Sequence, residues 1–480
     1  MGDDVSETVT EKTTMVGPPR YADEFKMTLE DIQVPVTRYI SDDFRDREFA
    51  RLWPRVWQVA CRADEVASPG DYYEYRIGDQ SILIVRAQDG KLNAFHNVCP
   101  HRANLIRTGT GNTGTQLVCG FHKWSFELDG TLKKISDRET FCPLDESQYN
   151  LRPALVDSWA GWVFVRPDPT DAEPLLEFLS PLPELLAAYH LEHLVPTGLN
   201  LTTTVSCNWK VGIESFLETY HIHAIHPQLL PNGDDQRVLF ENWERHNKQL
   251  RPFGIPSPRL GPPGAVDPDE TLEALFGPRK QRVAAAAPVD RLAEATVGGS
   301  GDYFSTVVHD VGDPWEMFDQ YRDEDGAITL PEGVTIRSVM EQYYRRASAL
   351  KGVDFSGLSP DQFVDNWNLL LFPNVILNVN VGSVLAFRFM PDSQDVHSSR
   401  WDLITYDWVL DGERAAQVRA PHREIPEQSE SLGLLMDQDM FQMPRVQRGM
   451  RSGALHHVTL SSQENRIIHF NEVIDRYLAD

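Results

Sequence analysis

Basic residues are scarce: 45 Lys and Arg stand against 71 Asp and Glu, giving a net charge of −26 over 480 residues. Such a surface repels phosphate backbones, which excludes nucleic acid and anionic membranes as general partners. No run approaches the ~18 consecutive apolar residues of a membrane span. The opening residues Met1 to Thr14 carry no charged-then-apolar leader, so a cytoplasmic protein is expected. Five cysteines, at 61, 99, 119, 142 and 207, are too few for a disulfide scaffold. No Gly-x-Gly-x-x-Gly follows a predicted strand, so the chain is not expected to hold a dinucleotide itself. Internal repeats and coiled-coil heptads are also missing. The remainder, 41% hydrophobic and 24% charged, is an ordinary globular composition. Its length predicts two or three domains.

Residues 1–20 are polar and close on Gly17-Pro18-Pro19, which reads as a mobile tail. Phe44, Phe49, Leu52 and Trp53 recur at helical spacing behind Ser41, a plausible N-cap, and predict a helix over 41–57. Residues 58–167 break into short strands at 72–77, 81–87, 92–98 and 161–166, punctuated by Gly70, Asp89-Gly90 and Asp129-Gly130. Helical texture then dominates, in the later part of 204–226 and at 333–352 and 426–450. Strands of one antiparallel sheet are predicted at 369–381, 383–390 and 401–410. Residues 252–288 hold eight prolines and an Ala-Ala-Ala-Ala run, which suggests an insertion or flap able to lid a pocket.

Two Cys-His pairs carry the first chemical signal. Cys99-Pro100-His101 is followed seventeen residues later by Cys119-Gly120-Phe121-His122. Two thiolates and two imidazoles brought together by two tight loops match a [2Fe–2S] cluster with Cys₂ on one iron and His₂ on the other. Neutral imidazoles in place of two thiolates raise its potential. A Cys₂His₂ zinc site uses the same ligands, but its usual spacing keeps cysteines together and histidines together. Here each loop mixes one of each. Cys61, Cys142 and Cys207 fall outside the pattern and read as small apolar residues.

The second signal is Cys207 to Gln228, CNWKVGIESFLETYHIHAIHPQ. Glu218 and His221, three apart, lie about 60° from each other on an ideal helix. His221 and His226 lie about 140° apart, so both reach one ion only where the helix bulges or ends, and Pro227 favours an ending. Periodicity alone allows His223 with His226 equally. Two histidines and a carboxylate with open positions form the facial triad of non-haem Fe(II) oxygenases, which leaves room for dioxygen.

These residues resemble the large (alpha) subunits of Rieske-type non-haem iron ring-hydroxylating oxygenases. The flanks Asn97-Val98 and Arg102, and Lys123-Trp124-Ser125-Phe126 with Leu128-Asp129-Gly130, agree with that family over about residues 40–450, least well at 230–345. The resemblance implies an α+β chain. Residues 40–167 would form a small all-β Rieske domain, and 168–480 a helix-grip catalytic domain with an antiparallel sheet and long helices. Residues 21–39 would pack on the catalytic domain and 230–345 would hold an insertion. The family's Tyr-His-x₄-His pattern selects His221 and His226. Its carboxylate, eight residues before Gln-x-Gly, falls on Asp439, with Asp437 the near alternative; His223 is then expected beside the ligands or facing substrate.

Glu218 matches a carboxylate that links cluster and iron across a subunit interface, often aspartate in relatives. Ser215 departs from the family's asparagine. The implied function is an oxygenase taking O₂, and electrons from NAD(P)H through a ferredoxin or reductase, to hydroxylate an apolar, aromatic substrate. N- or O-demethylation by the same chemistry is the alternative. A non-catalytic iron–sulfur electron carrier is the alternative of another class. The implied assembly is a homotrimer, or a trimer with small beta subunits. Strands 369–390 should floor the pocket with Leu, Phe and Asn. Arg102, Arg107, Lys123, Lys133 and Lys134 against Glu127 and Asp129 make the Cys99–Lys134 stretch locally basic, a candidate docking face for an acidic ferredoxin.

Overall fold

The computed structural model describes residues 15–279, 314–350, 352–409 and 419–479. Among these, two large, mainly antiparallel sheets organise the chain, and the α-helices lie outside the small unit, whose helical segments are only short 3₁₀ turns, an α+β architecture.

The small unit is built from short strands. Its seven-stranded sheet runs Gln58–Arg62, Trp162–Arg166, Pro153–Trp159, Leu92–His96, Gln80–Arg86, Asp71–Ile77, Thr110–Asn112. Ile82, Leu83, Ile84 and Val85 are buried on both faces, because the sheet is covered on each side. One side meets the main core. The other packs on a second, smaller core that contains Cys99, Cys119, Trp124 and Phe126. A three-stranded sheet, Leu132–Lys134, Ser125–Phe126 and Leu117–Val118, carries the second Cys-His loop. Gly130 has φ 85° and lies so close to Phe95 that a Cβ there would meet the ring at 2.4 Å.

The larger sheet has nine strands among the described residues. In order they are Gly17–Tyr21, Leu239–Asn242, Asn247–Arg251, Asn366–Leu371, Val375–Asn380, Ser383–Pro391, Ser399–Trp408, Leu194–Val205 and Arg423–Ile425. All pairings are antiparallel except the last. Helices Trp209–Glu214, Leu434–Met450 and Asn465–Ala479 cover one part of it.

Several expectations are corrected. The proposed tail over 1–20 is ordered from Gly17, which begins an edge strand paired to Leu239–Asn242; residues 1–14 lie outside the described residues. The helix predicted over 41–57 is present over Asp42–Arg47, capped by Ser41 Oγ accepting from Phe44 N–H, and continues as a wider helical turn over Glu48–Leu52, so it ends five residues early. Glu48 is held by Lys210 and Phe49 lies against Gly78, while the small sheet starts only at Gln58. The insertion assigned to 230–345 contributes two strands to the main sheet. The single strand predicted at 369–381 is a hairpin, because Pro373 has no N–H for the ladder and the chain turns at 372–374. The helix predicted over 426–450 begins only at Leu434. Of the Pro-rich flap, residues 252–279 are described and 280–288 lie outside the described residues.

Candidate metal centres

The two Cys-His loops share one backbone design. Cys99 N–H donates to the Asn104 carbonyl and Cys119 N–H to the Trp124 carbonyl, both at 2.8 Å. In each loop the residue four beyond the cysteine returns a hydrogen bond to the cysteine carbonyl, Ala103 at 2.9 Å and Lys123 at 3.1 Å. Both of these residues are left-handed, with φ 57° and 60°. The tight reversal brings each cysteine and its histidine to the same side.

Across the pair, the His101 and His122 rings are 4.5 Å apart at 72°, and His101 stacks on Trp124 at 5.0 Å. Burial raises the Cys99 thiol, to about 11. At Cys119 burial also opposes ionisation, but the N–H groups of Phe121 and His122 outweigh it and lower the thiol. Asn104 Nδ2 lies 3.7 Å from the same sulfur. Sulfurs approached by N–H donors, with two imidazoles opposite, suit a cluster that carries negative charge on sulfur.

Cys61 and Cys207 are buried as expected, whereas Cys142 is exposed and not a core residue. The basic stretch is partly spent on structure. Lys133 pairs with Glu127 at 3.0 Å, and Arg107 donates to the carbonyls of Ile106 and Val118, tying the two loops together.

The second constellation forms where a helix fails. Asn208 caps Trp209–Glu214, accepting from Lys210 N–H at 3.0 Å, and every residue of that helix is buried. Gly212 lets it approach the sheet, since a Cβ would meet Trp401 at 2.5 Å. Ser215 Oγ donates to the Gly212 carbonyl and the helix ends, so Glu218 and His221 are not on one helix as periodicity suggested. His221 instead precedes, and His226 follows, the short turn Ile222–Ile225. This turn ends at His226, with φ −121° and ψ 52° before Pro227, and the two rings lie 5.1 Å apart.

Helix Leu434–Met450 buries Met436, Asp439, Met440, Met443 and Gln447, one helical stripe. Asp439 on that stripe places Oδ1 2.8 Å from His226 Nε2 and 3.9 Å from His221 Nε2. One ligand atom from each of His221, His226 and Asp439 lies within 4.8 Å of the others. Asp437 points elsewhere and accepts from Leu432 N–H at 2.8 Å and Ser431 Oγ at 2.5 Å.

Both imidazoles are held in one tautomer. His221 Nδ1–H donates to Glu218 Oε1, whose other oxygen accepts the His221 backbone N–H at 3.0 Å. His226 Nδ1–H donates to Gln438 Oε1 at 2.8 Å. Each Nε2 lone pair is left for the shared point, as a metal requires. Burial pushes the His221 imidazolium down, but the Glu218 and Asp439 carboxylates push it up to about 9. The point is therefore strongly attractive to positive charge.

Gln438 was not legible as a partner, because nothing in a sequence says which face of the helix it shares. Gln447 braces the assembly, accepting from Asn208 N–H and donating to the Tyr39 carbonyl. His223 does not line the adjacent cavity; its ring lies 5.6 Å from Tyr220 and its Nδ1 has no partner.

The cavity beside the triad has a volume of about 140 Å³. Phe216, Leu385, Phe387 and Met436 form one part of its wall, while Gln249, Arg251, Asn366, Asn368 and Asn378 form another. Asn378, Leu385 and Phe387 come from the strands expected to floor it. The polar residues from Asn247–Arg251 were missed. Their available signal was polar side chains at alternate positions of a strand whose neighbours are core.

Sequence profiles place the chain in a family. Residues 186–480 match the family described as ring hydroxylating alpha subunit (catalytic domain), and residues 56–151 match the Rieske [2Fe-2S] domain. The chain belongs to the ring-hydroxylating alpha subunits. Members of this family of oxidoreductases carry a Rieske cluster and a mononuclear iron, and both residue sets fit those groups.

Among curated relatives, the carnitine monooxygenase oxygenase subunit of Escherichia coli K12 is 31% identical over 44% of this chain and 57% of its own length. The glycine betaine monooxygenase oxygenase subunit of Pseudomonas aeruginosa is 28% identical over 44% and 48%, and chloroplastic choline monooxygenase of Beta vulgaris 30% over 40% and 44%. The matches thus span about half of each relative. Among solved structures, a quaternary ammonium Rieske monooxygenase superposes with TM-score 0.61 at 17% identity, covering 94% of this chain and 99% of that one. Naphthalene 1,2-dioxygenase does so with TM-score 0.61 at 14% identity, covering 95% and 94%. At those identities the likeness is one of fold. No helix among the described residues of this alpha subunit is long and apolar enough to cross a membrane.

Proposed function

We propose that this alpha subunit is the oxygenase component of a Rieske system that hydroxylates a small, apolar-bodied substrate. The observation that carries the reading is the convergence of His221, His226 and Asp439 at the wall of a cavity lined beside them by Phe216, Leu385 and Phe387. Cys99, His101, Cys119 and His122 would hold the cluster, and His221, His226 and Asp439 the iron. When bound, these groups supply single electrons and the place where dioxygen is reduced.

The protein's part is positional. Glu218 and Gln438 hold the two imidazole Nδ1 protons, so that both Nε2 atoms stay available. The stacked Phe216 and Phe387 rings, 4.4 Å apart, close one wall against water and present a flat surface to the substrate. A volume of about 140 Å³ is close to the ~150 Å³ of a dry cavity that admits benzene, which favours a body of one ring.

Monooxygenation that removes an N- or O-methyl group is the second reading, favoured by relatives that are carnitine, glycine betaine and choline monooxygenases. Electrons would arrive from NAD(P)H through a ferredoxin or reductase. Purified anaerobically, the chain should contain about three irons and two acid-labile sulfides. With a reductase and ferredoxin it should take up O₂ in step with hydroxylation of single-ring substrates. Release of formaldehyde from methylated amines or ethers would instead select demethylation. Two irons and two sulfides that iron reconstitution cannot raise to three would leave an electron carrier.

A further inference from the structure

One wall of the cavity holds a buried cation, Arg251, that makes no ion pair among the described residues; its guanidinium lies 5.4 Å over the Phe253 ring. Gln249 and Arg251 are alternate residues of one strand, and Asn366 is paired directly opposite Arg251 on the next, so all three side chains share a face. All three line the cavity and are at most 9% exposed. Each keeps a buried polar atom without a partner: Arg251 Nε, Asn366 Nδ2 and Gln249 Oε1. Native interiors rarely leave such atoms unpaired, because a buried donor or acceptor loses its water without gaining a partner.

Arg251 is the most unusual of the three. Its Nη2 donates to the Leu229 carbonyl at 2.6 Å, Asn232 Oδ1 at 2.9 Å and the Gly233 carbonyl at 3.0 Å, and no carboxylate lies within ion-pair distance among the described residues. Asp235, the nearest source of compensating charge in the electrostatics of this arginine, is taken by Arg259 at 2.7 Å and Ser257 at 2.5 Å. Asp234 accepts from the backbone N–H groups of Gln236 and Arg237.

A second fully buried guanidinium, Arg466, also makes no ion pair among the described residues. It donates to Asn247 Oδ1 and Asn368 Oδ1, both at 2.7 Å, and Asn368 passes the polarisation to Asn378 at 3.0 Å on the same cavity wall. Guanidinium stays protonated in proteins, so two positive charges are desolvated beside the cavity without an ion-pair partner among the described residues. Burying charge unpaired is costly.

We infer that this wall is a carboxylate-reading pole: the substrate carries a carboxylate received by Arg251 Nε and Asn366 Nδ2, with its apolar body directed toward His221, His226 and Asp439. The Gln249 amide, turned end for end, offers Nε2 as a third donor, since its O and N are interchangeable by rotation. Arginine with amide donors is the recognition set for a carboxylate. This inference rests on the oxygenase reading and adds the substrate class to it.

Titration calorimetry on the metal-loaded full chain tests it with benzoate and cyclohexanecarboxylate against benzamide and cyclohexanecarboxamide. Each acid should bind at least tenfold more tightly than its amide. Arg251→Gln and Asn366→Asp should each bring that ratio to within about twofold. Should Arg251→Gln not fold, having lost its hold on the 229–233 carbonyls, the isosteric Asn366→Asp carries the test. Equal binding of acid and amide by the unaltered chain would overturn the inference. So would a preference undiminished in Asn366→Asp, which would place the carboxylate on the iron instead. Oxygen uptake separates the two proposals: uptake coupled to hydroxylation of neutral probes without acid preference sinks only the pole. Acid preference with no uptake for any probe sinks the oxygenase reading and leaves the pole standing.

Discussion

Asp437 and Asp439 lie on the same helix, two residues and therefore about 200° apart. That rotation sends Asp439 to the buried stripe beside His226 and leaves Asp437 to bond Ser431 and the Leu432 N–H at the helix start. Replacing Asp439 by Ala should lower the iron content from about three to about two per chain with sulfide unchanged, whereas Asp437→Asn should keep all three; metal and sulfide analysis reads the difference.

Glu214 offers a residue-scale test of a different kind. Burial raises its carboxyl to about 7, although it accepts from Tyr39 Oη at 2.9 Å and Asn471 Nδ2 at 2.9 Å. A folded value above the unfolded ~4.5 means that the fold holds this proton more tightly. The contribution is full below pH ~4.5 and is lost as pH rises toward about 7, with a ceiling of about 3 kcal/mol. Glu214→Gln should therefore gain on the unaltered chain in melting temperature as pH goes from 5 to 8. A difference flat across that range would contradict the assignment.

At the scale of elements, the decisive feature is the interruption between Trp209–Glu214 and Ile222–Ile225. An unbroken helix would hold His221 and His226 about 140° apart. The interruption frees His221 from the first helix, and the ending of Ile222–Ile225 at His226, with φ −121° and ψ 52° just before Pro227, sets the two rings 5.1 Å apart. The first helix is anchored so that the break has a fixed origin. Lys210 and Glu48 form an ion pair at 2.8 Å with side chains 0% and 1% exposed, and Trp209 Nε1 donates to the same carboxylate at 3.3 Å.

Removing one member of a buried pair typically costs about 3–5 kcal/mol, while replacing both by apolar groups costs far less. Lys210→Met and Glu48→Gln should each lower the urea midpoint strongly, and Lys210→Met with Glu48→Leu should recover more than half of the loss. Failure of the double variant to recover would show that the segment 42–52 is held by something other than this pair.

For the whole molecule, the exposed surfaces point beyond one chain. Val98, Leu105 and Phe121, 43%, 38% and 54% exposed, ring the Cys-His loops, and Tyr220, 48% exposed, lies beside Glu218 on the catalytic side. Apolar side chains gathered at an electron-transfer site suit contact with another protein. We propose the trimer implied by the family, with Glu218 joining the two centres across an interface. Glu218→Gln should retain three irons and the trimer mass, built from 54.5 kDa chains, yet slow single-turnover oxidation of the reduced cluster by at least tenfold. Stopped-flow absorbance checks the rate and light scattering the mass. A cytoplasmic location and docking of an acidic ferredoxin on the basic stretch stay within this proposal, with Arg107 and Lys133 discounted because structure already uses them.

What the sequence determined by itself is local. The mixed Cys-His loops were readable because chemistry restricts those residue types and spacings. The choice of His221 with His226, and of Asp439 eight residues before Gln-x-Gly, came instead from the resemblance to the family, since periodicity allowed His223 equally. The short strands of 58–167 were readable because turn residues such as Gly70, Asp89-Gly90 and Asp129-Gly130 punctuate them. Tertiary structure alone decided the rest. Which aspartate faces the histidines depends on how a helix is rotated against its neighbours. The helix at 209–225 breaks because Ser215 caps the Gly212 carbonyl while Trp401 and Phe389 press from the sheet. The polar wall of Gln249, Arg251 and Asn366 exists only once two strands distant in sequence pair in register. No local pattern carries that information, because register is chosen by the burial of a whole face rather than by any one residue.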